Sequence, residues 1–145
     1  MSDTHSESFT SPRAPEPVGA YPHARRVGNL LFLSGVGPRE RGSRAIPGVD
    51  LDERGQVRSY DIEPQCLSVF RNVRAVLEEA GSGWERIVDV TVFLTNMRDD
   101  FPVFNRLYGE HFAGEGQPNP TRTTVEVNCL PTPIAIELKV IATLP

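Results

Sequence analysis

The last quarter of the chain constrains its fold most. In Asn119-Pro-Thr-Arg-Thr-Thr-Val-Glu-Val-Asn-Cys-Leu-Pro131 an arginine enters an alternating run directly after a proline, and a few residues later Ile136-Glu-Leu-Lys139 carries a glutamate in an apolar one. The alternation predicts two strands, over residues 122–130 and 134–144, joined by the tight Leu130-Pro-Thr-Pro133 turn. Burying an unpaired charge costs several kcal/mol, so charges kept in such runs are paired or used. An arginine fork near a carboxylate suits a small carboxylate-bearing molecule.

Parity sharpens this reading. Val125, Val127 and Cys129 share one face of the first run, which leaves Arg122, Thr124 and Glu126 on the other. In the second, Ile134, Ile136, Leu138, Val140 and Ala142 share a face, leaving Glu137 and Lys139 opposite. If both apolar faces meet helices, Arg122 and Glu137 lie together on a helix-free side. A half-apolar face there invites cover by a second copy, and so a site at an oligomer interface.

Upstream, Ile62, Cys66, Val69, Phe70, Val73, Val76, Leu77 and Ala80 fall at helical spacing. They predict a helix over 62–80 with Asp61 as N-cap and Gly81 as stop. A second helix is expected over 101–112, capped by Asp99 or Asp100, with Phe101, Phe104, Tyr108 and Phe112 inward. Strands are expected at 30–34 and 87–94, and residues 37–55 read as a long loop with room for a short hairpin. The order predicts an α+β domain: one mixed sheet with two helices on one face. Residues 1–18, rich in Ser, Thr, Pro and Glu, read as a flexible tail before a single domain over 19–145.

A net charge of −4 argues against general nucleic-acid binding, and with it a ribonuclease role. Two distant cysteines, Cys66 and Cys129, fit a reducing cytoplasm, and no run is apolar enough for a signal peptide or a membrane span. No metal-ligand spacing or phosphate loop is present, and Lys139 is the chain's one lysine, against fourteen arginines, which makes a pyridoxal-phosphate Schiff base a poor fit.

From about residue 19 onward the chain resembles the Rid (YjgF-like) family of small enamine and imine deaminases. The resemblance rests on Gly19-Ala-Tyr21, Phe32-Leu-Ser-Gly35, Asn72-Val-Arg-Ala-Val-Leu-Glu-Glu-Ala-Gly81, Val90-Thr-Val-Phe-Leu94, Phe104-Asn-Arg-Leu-Tyr108, Pro120-Thr-Arg122, Val125-Glu-Val127, Leu130-Pro131 and Ile136-Glu137. Tyr21-Pro-His23, Phe93-Leu-Thr-Asn-Met97, Thr121-Arg-Thr-Thr-Val125 and Ile136-Glu-Leu-Lys139 resemble the 2-aminomuconate deaminase branch. The general branch has a cysteine where this chain has Thr124.

The resemblance implies a chorismate-mutase-like fold, a homotrimer with clefts between subunits, and no cofactor. It implies that Arg122 binds the substrate carboxylate and that Glu137 holds the water or passes the proton. Thr124 would hydrogen-bond beside Arg122, and Tyr21, His23, Ser34, Gly35 and Asn105 would line the cleft. The expected reaction is hydrolysis of 2-aminomuconate to a 2-oxo or 2-hydroxymuconate and ammonia, in aromatic catabolism. The alternatives are general 2-iminobutanoate/2-iminopropanoate deamination, or metabolite binding without catalysis. A muconate's second carboxylate would need another cation, for which Arg25, Arg26, Arg39 and Lys139 are candidates.

Overall fold

A computed structural model describes residues 5–145. Eight strands and two helices follow in the order β1 (Ser6–Phe9), β2 (Ala24–Val27), β3 (Leu30–Leu33), β4 (Val49–Leu51), β5 (Val57–Tyr60), α1 (Ile62–Glu79), β6 (Ile87–Leu94), α2 (Met97–Phe112), β7 (Thr121–Glu126) and β8 (Ile136–Thr143). Six strands make one mixed sheet in the order β1-β2-β3-β8-β6-β7, and β4 and β5 form a separate hairpin. Only β6 and β7 run parallel, with α2 as the crossover between them. The α+β class with two helices is as expected.

Helix α1 begins where Asp61 accepts a hydrogen bond from the Glu63 N–H at 3.1 Å and ends before Gly81, whose φ of 81° few other residues tolerate. Helix α2 starts four residues earlier than predicted. Asn96, not Asp99 or Asp100, is its cap, accepting from the Asp99 N–H at 3.2 Å. The two aspartates instead occupy the first turn, where the helix dipole favours negative charge. The core lies between the helices and one sheet face, with Val69, Val73 and Leu77 of α1 and Phe104 and Phe112 of α2 packed on Val90, Val92, Leu94, Leu138 and Val140.

Two expectations are corrected. The strands of the opening argument, β7 and β8, are not neighbours, because β6 lies between them and pairs with both. The predicted tail of residues 1–18 is not a tail where the structure describes it, its first four residues lying outside the described range. Ser6–Phe9 pairs antiparallel with β2, and Ser11 and Ala14 are buried. Neither β1 nor β2 was predicted.

His23 holds this segment in place. The Ser11 N–H donates to its Nδ1 at 2.8 Å, so Nε2 carries the ring proton and donates it to the Pro15 carbonyl at 2.7 Å. Both nitrogens are spent on buried backbone, which assigns His23 to structure and leaves neither for a substrate. Among the described residues no helix is long and apolar enough to cross a membrane.

Replacing His23 by Phe strips partners from one buried N–H and one carbonyl, at about 1–3 kcal/mol each. Urea unfolding of His23→Phe is expected to show a lower midpoint, and limited proteolysis to open the chain before residue 19.

Candidate active site

The register of β6 decides which side chains can meet. Val90, Val92 and Leu94 pair with Val140, Leu138 and Ile136 on one side and with Arg122, Thr124 and Glu126 on the other. Cross-strand partners share a face, so Arg122, Thr124 and Glu126 lie on the helix side. Glu137 and Lys139 pair with Phe93 and Thr91 and lie on the helix-free side. The expected common face for Arg122 and Glu137 is therefore wrong. The parity argument failed at β7, an edge strand whose apolar Val125 faces outward while its polar side chains turn toward α2. Arg122 and Glu137 of one chain sit on opposite faces, two strands or roughly 10 Å apart across the sheet.

One group forms around Arg122. Its guanidinium lies over the Tyr108 ring at 4.6 Å, with Phe104 at 5.5 Å and Phe101 at 5.9 Å. Nη1 donates to the Asn105 Oδ1 at 2.9 Å. Residues 101, 104, 105 and 108 recur at helical spacing on α2, so one helix face supplies the whole cradle. Two residues along β7, the buried Thr124 hydroxyl has no partner among the described residues. Glu126 does not face the site: its carboxylate accepts from the Met97 N–H at 2.9 Å and caps α2.

A second group forms around Glu137. Its carboxyl lies against Gly35, where a β-carbon would come within 2.9 Å of Cδ. Any other residue there would push the carboxyl out of this position. Tyr21, Gly35, Gly37, Arg39, Pro131 and Glu137 line one small pocket, and Ser34 and His23 line the adjoining one. Ser34 Oγ donates to the Pro22 carbonyl at 2.7 Å, and the Tyr21 hydroxyl accepts from the Val18 N–H at 3.2 Å. Burial raises the Glu137 pKa, and the positive charge of Arg39 pulls it partly back. Burial lowers the Lys139 pKa, and its ammonium donates to the Leu33 carbonyl.

Of the predicted residues, Arg122, Asn105 and Thr124 thus gather at one edge, and Glu137, Gly35, Ser34 and Tyr21 gather elsewhere. By helical spacing alone Tyr108 is expected in the core, and Arg39 is one of four cations with equal standing. The aromatic spacing along α2, beside a strand that opens with arginine, was the signal for Tyr108.

A mixed six-stranded sheet under two helices, with Arg122 on one face and the half-buried Glu137 on the other, defines a small α+β protein. The family described as Endoribonuclease L-PSP matches residues 11–144, and a RutC family protein of Pyrococcus abyssi is 36% identical over 136 residues, 94% of this chain and 95% of that protein. The chain belongs to this family, that of the RutC and Rid proteins. It is also similar, at 33% identity over 132 residues, to the 2-iminobutanoate/2-iminopropanoate deaminase of Dermatophagoides farinae, covering 90% of this chain and 91% of that one. The crystal structure of Escherichia coli TdcF with bound serine superposes with a TM-score of 0.81 at 28% identity, over 96% of this chain and 99% of that one.

The Glu137 shift carries a stability consequence. With its folded pKa raised, the native state holds the proton more tightly than the unfolded chain. Stability therefore falls as pH rises from the ordinary value of 4.5 to the raised folded value, and stays lower above it. Asp100, also raised by burial, titrates in the same direction, so the comparison must be with Glu137→Gln. Denaturation midpoints across this window should fall less in Glu137→Gln than in wild type.

Proposed function

We propose that this protein is a cofactor-independent enamine/imine deaminase that hydrolyses small 2-imino acids to 2-oxo acids and ammonia, at sites built from two copies of the chain. The observation that carries the reading is the division of the site: a caged arginine without an acid partner among the described residues, and a half-buried acid, on opposite faces of one sheet. A second copy supplies what each half lacks. The helix-free face has the character of a contact surface, with Leu30, Phe32, Phe93, Val125 and Ile141 left partly exposed beside Thr91 and Lys139. A homotrimer, as the family resemblance implies, would close three such sites in a ring. The name of the Dermatophagoides farinae relative supports the 2-imino acid class over 2-aminomuconate.

The chemistry follows from the groups. Arg122 takes the substrate carboxylate as a planar fork, beside the Asn105 amide oxygen that accepts from its Nη1. Thr124 offers a free hydroxyl beside it. Glu137, its pKa raised by burial, gives a proton to the enamine carbon and so forms the imine. As carboxylate it then takes a proton from the water that attacks the imine carbon. It returns that proton to nitrogen and then takes the carbinolamine hydroxyl proton as the C–N bond breaks, leaving a 2-oxo acid, ammonia and the acid protonated as it began.

One observation favours the second reading, a dicarboxylate such as 2-aminomuconate. Of the four candidate cations Arg39 alone lines the Glu137 pocket, its guanidinium donating to the Glu16 carbonyl, while Arg25 bonds to Ser6, Arg26 to the Gly28 carbonyl and Lys139 to the Leu33 carbonyl. A second carboxylate would find its cation in Arg39.

Ammonia release from 2-iminobutanoate tests the proposal. Arg122→Ala should lower kcat/KM about 30- to 1000-fold through the lost charge-assisted contact, and Glu137→Gln about 10²- to 10⁴-fold through lost proton transfer. Co-refolding the two inactive variants in equal amounts should restore about a quarter of the wild-type sites, since one neighbour then supplies the arginine and the other the acid. No recovery would place the whole site within one chain. A preference for 2-aminomuconate that vanishes in Arg39→Ala would favour the dicarboxylate reading.

A further inference from the structure

The Arg122 cradle holds a residue whose part the proposed chemistry has not used. Tyr108 stacks face to face on Phe112, with centroids 4.1 Å apart and planes within 7°. It also packs on Phe104 at 5.6 Å and carries the Arg122 guanidinium at 4.6 Å. Of the three rings under that guanidinium it is the nearest. Its hydroxyl is buried and has no partner among the described residues. A buried phenol without a partner costs stability, whereas phenylalanine would avoid that cost. The contact Tyr108 makes with Arg122 is through its ring alone.

We infer that Tyr108 is a positioning residue for substrate binding: its ring, locked by the stack on Phe112, holds the Arg122 guanidinium flat so that the fork meets the substrate carboxylate. The reasoning is geometric. Arg122 projects from an edge strand and has one hydrogen-bond partner among the described residues, Asn105 on Nη1, which leaves rotation about its long side chain weakly restrained. A guanidinium resting on a π face keeps its plane parallel to the ring and its N–H edge free. Because Tyr108 is itself fixed by Phe112 and Phe104, the fork is oriented before substrate arrives, and binding does not have to supply that ordering.

The inference rests on the proposed deaminase reading, and its test separates the two. KM and kcat for 2-iminobutanoate are measured for wild type, Tyr108→Phe and Tyr108→Leu, together with calorimetric binding of 2-oxobutanoate, the unreactive product, to the same proteins. Tyr108→Phe should match wild type within about twofold. Tyr108→Leu should raise KM and the 2-oxobutanoate Kd roughly 3- to 30-fold, the range a partly desolvated cation–π contact is worth, with kcat within about threefold. Tyr108→Met, similar in length but without a π face, replaces the leucine variant if that fails to fold.

A merely structural role would instead lower kcat through a smaller active fraction and leave KM and Kd alone, and that pattern would overturn the inference. So would a Tyr108→Phe defect as large as that of Tyr108→Leu, which would assign the role to the hydroxyl. Wild type that binds 2-oxobutanoate but turns over no imine would sink the deaminase reading. The binding ratios between variants would still decide the part played by Tyr108.

Discussion

The pairing of β6 with a strand on each side is the interaction on which the rest depends. Val90, Val92 and Leu94 are held against Val140, Leu138 and Ile136 by burial on one face, and a shift of one residue would turn the whole set to solvent. That penalty locks the register of β8 and sends Glu137 and Lys139 to the face without helices. The parallel pairing of β7 on the far side then commits Arg122, Thr124 and Glu126 to the helix side. The separation of the arginine from the acid is thus a consequence of core packing by their immediate neighbours, Val90 across from Arg122 and Ile136 and Leu138 flanking Glu137.

The same register accounts for what the amino-acid pattern could and could not reveal. Helix α1 was legible because its apolar residues repeat at helical spacing between a capping aspartate and a stop glycine, and each of these signals is local. Strands β6 and β8 were legible because their buried residues alternate. The neighbour relations were not. Whether β7 lies beside β8 or beyond β6 depends on contacts between residues far apart in the chain. The Pro-containing turn looked like a hairpin connection but leads across a strand. Strands β1 and β2 are short and polar, and their place in the sheet depends on the bonds of His23 to Ser11 and Pro15. No periodicity announces bonds of that kind.

The candidate site was legible in part for a related reason. Arg122 and Glu137 stood out because charges in apolar runs demand an explanation, and the structure provides one for each: a cage of rings for the arginine, a glycine-lined pocket for the acid. The parity rule that put them on one face assumed that apolar residues of an edge strand turn toward the helices. Val125 does not. Tyr108 was hidden as one more aromatic on a buried helix face, since nothing in its own position distinguishes a ring that fills the core from one that also carries a cation.

The aromatic packing that begins at Arg122 does not stop at Tyr108. Phe112, stacked on Tyr108, lies 4.5 Å from the ring of Trp84, the only tryptophan in the chain. Trp84 is itself buried, with its indole N–H donated to the His111 carbonyl and the Arg74 guanidinium over its ring. One intervening ring therefore links the sole strong fluorophore to the arginine cradle. Displacement of Tyr108 would be passed to the indole through direct ring contact, and the tryptophan emission makes the protein its own optical probe of events at that cradle, with no dye or label added.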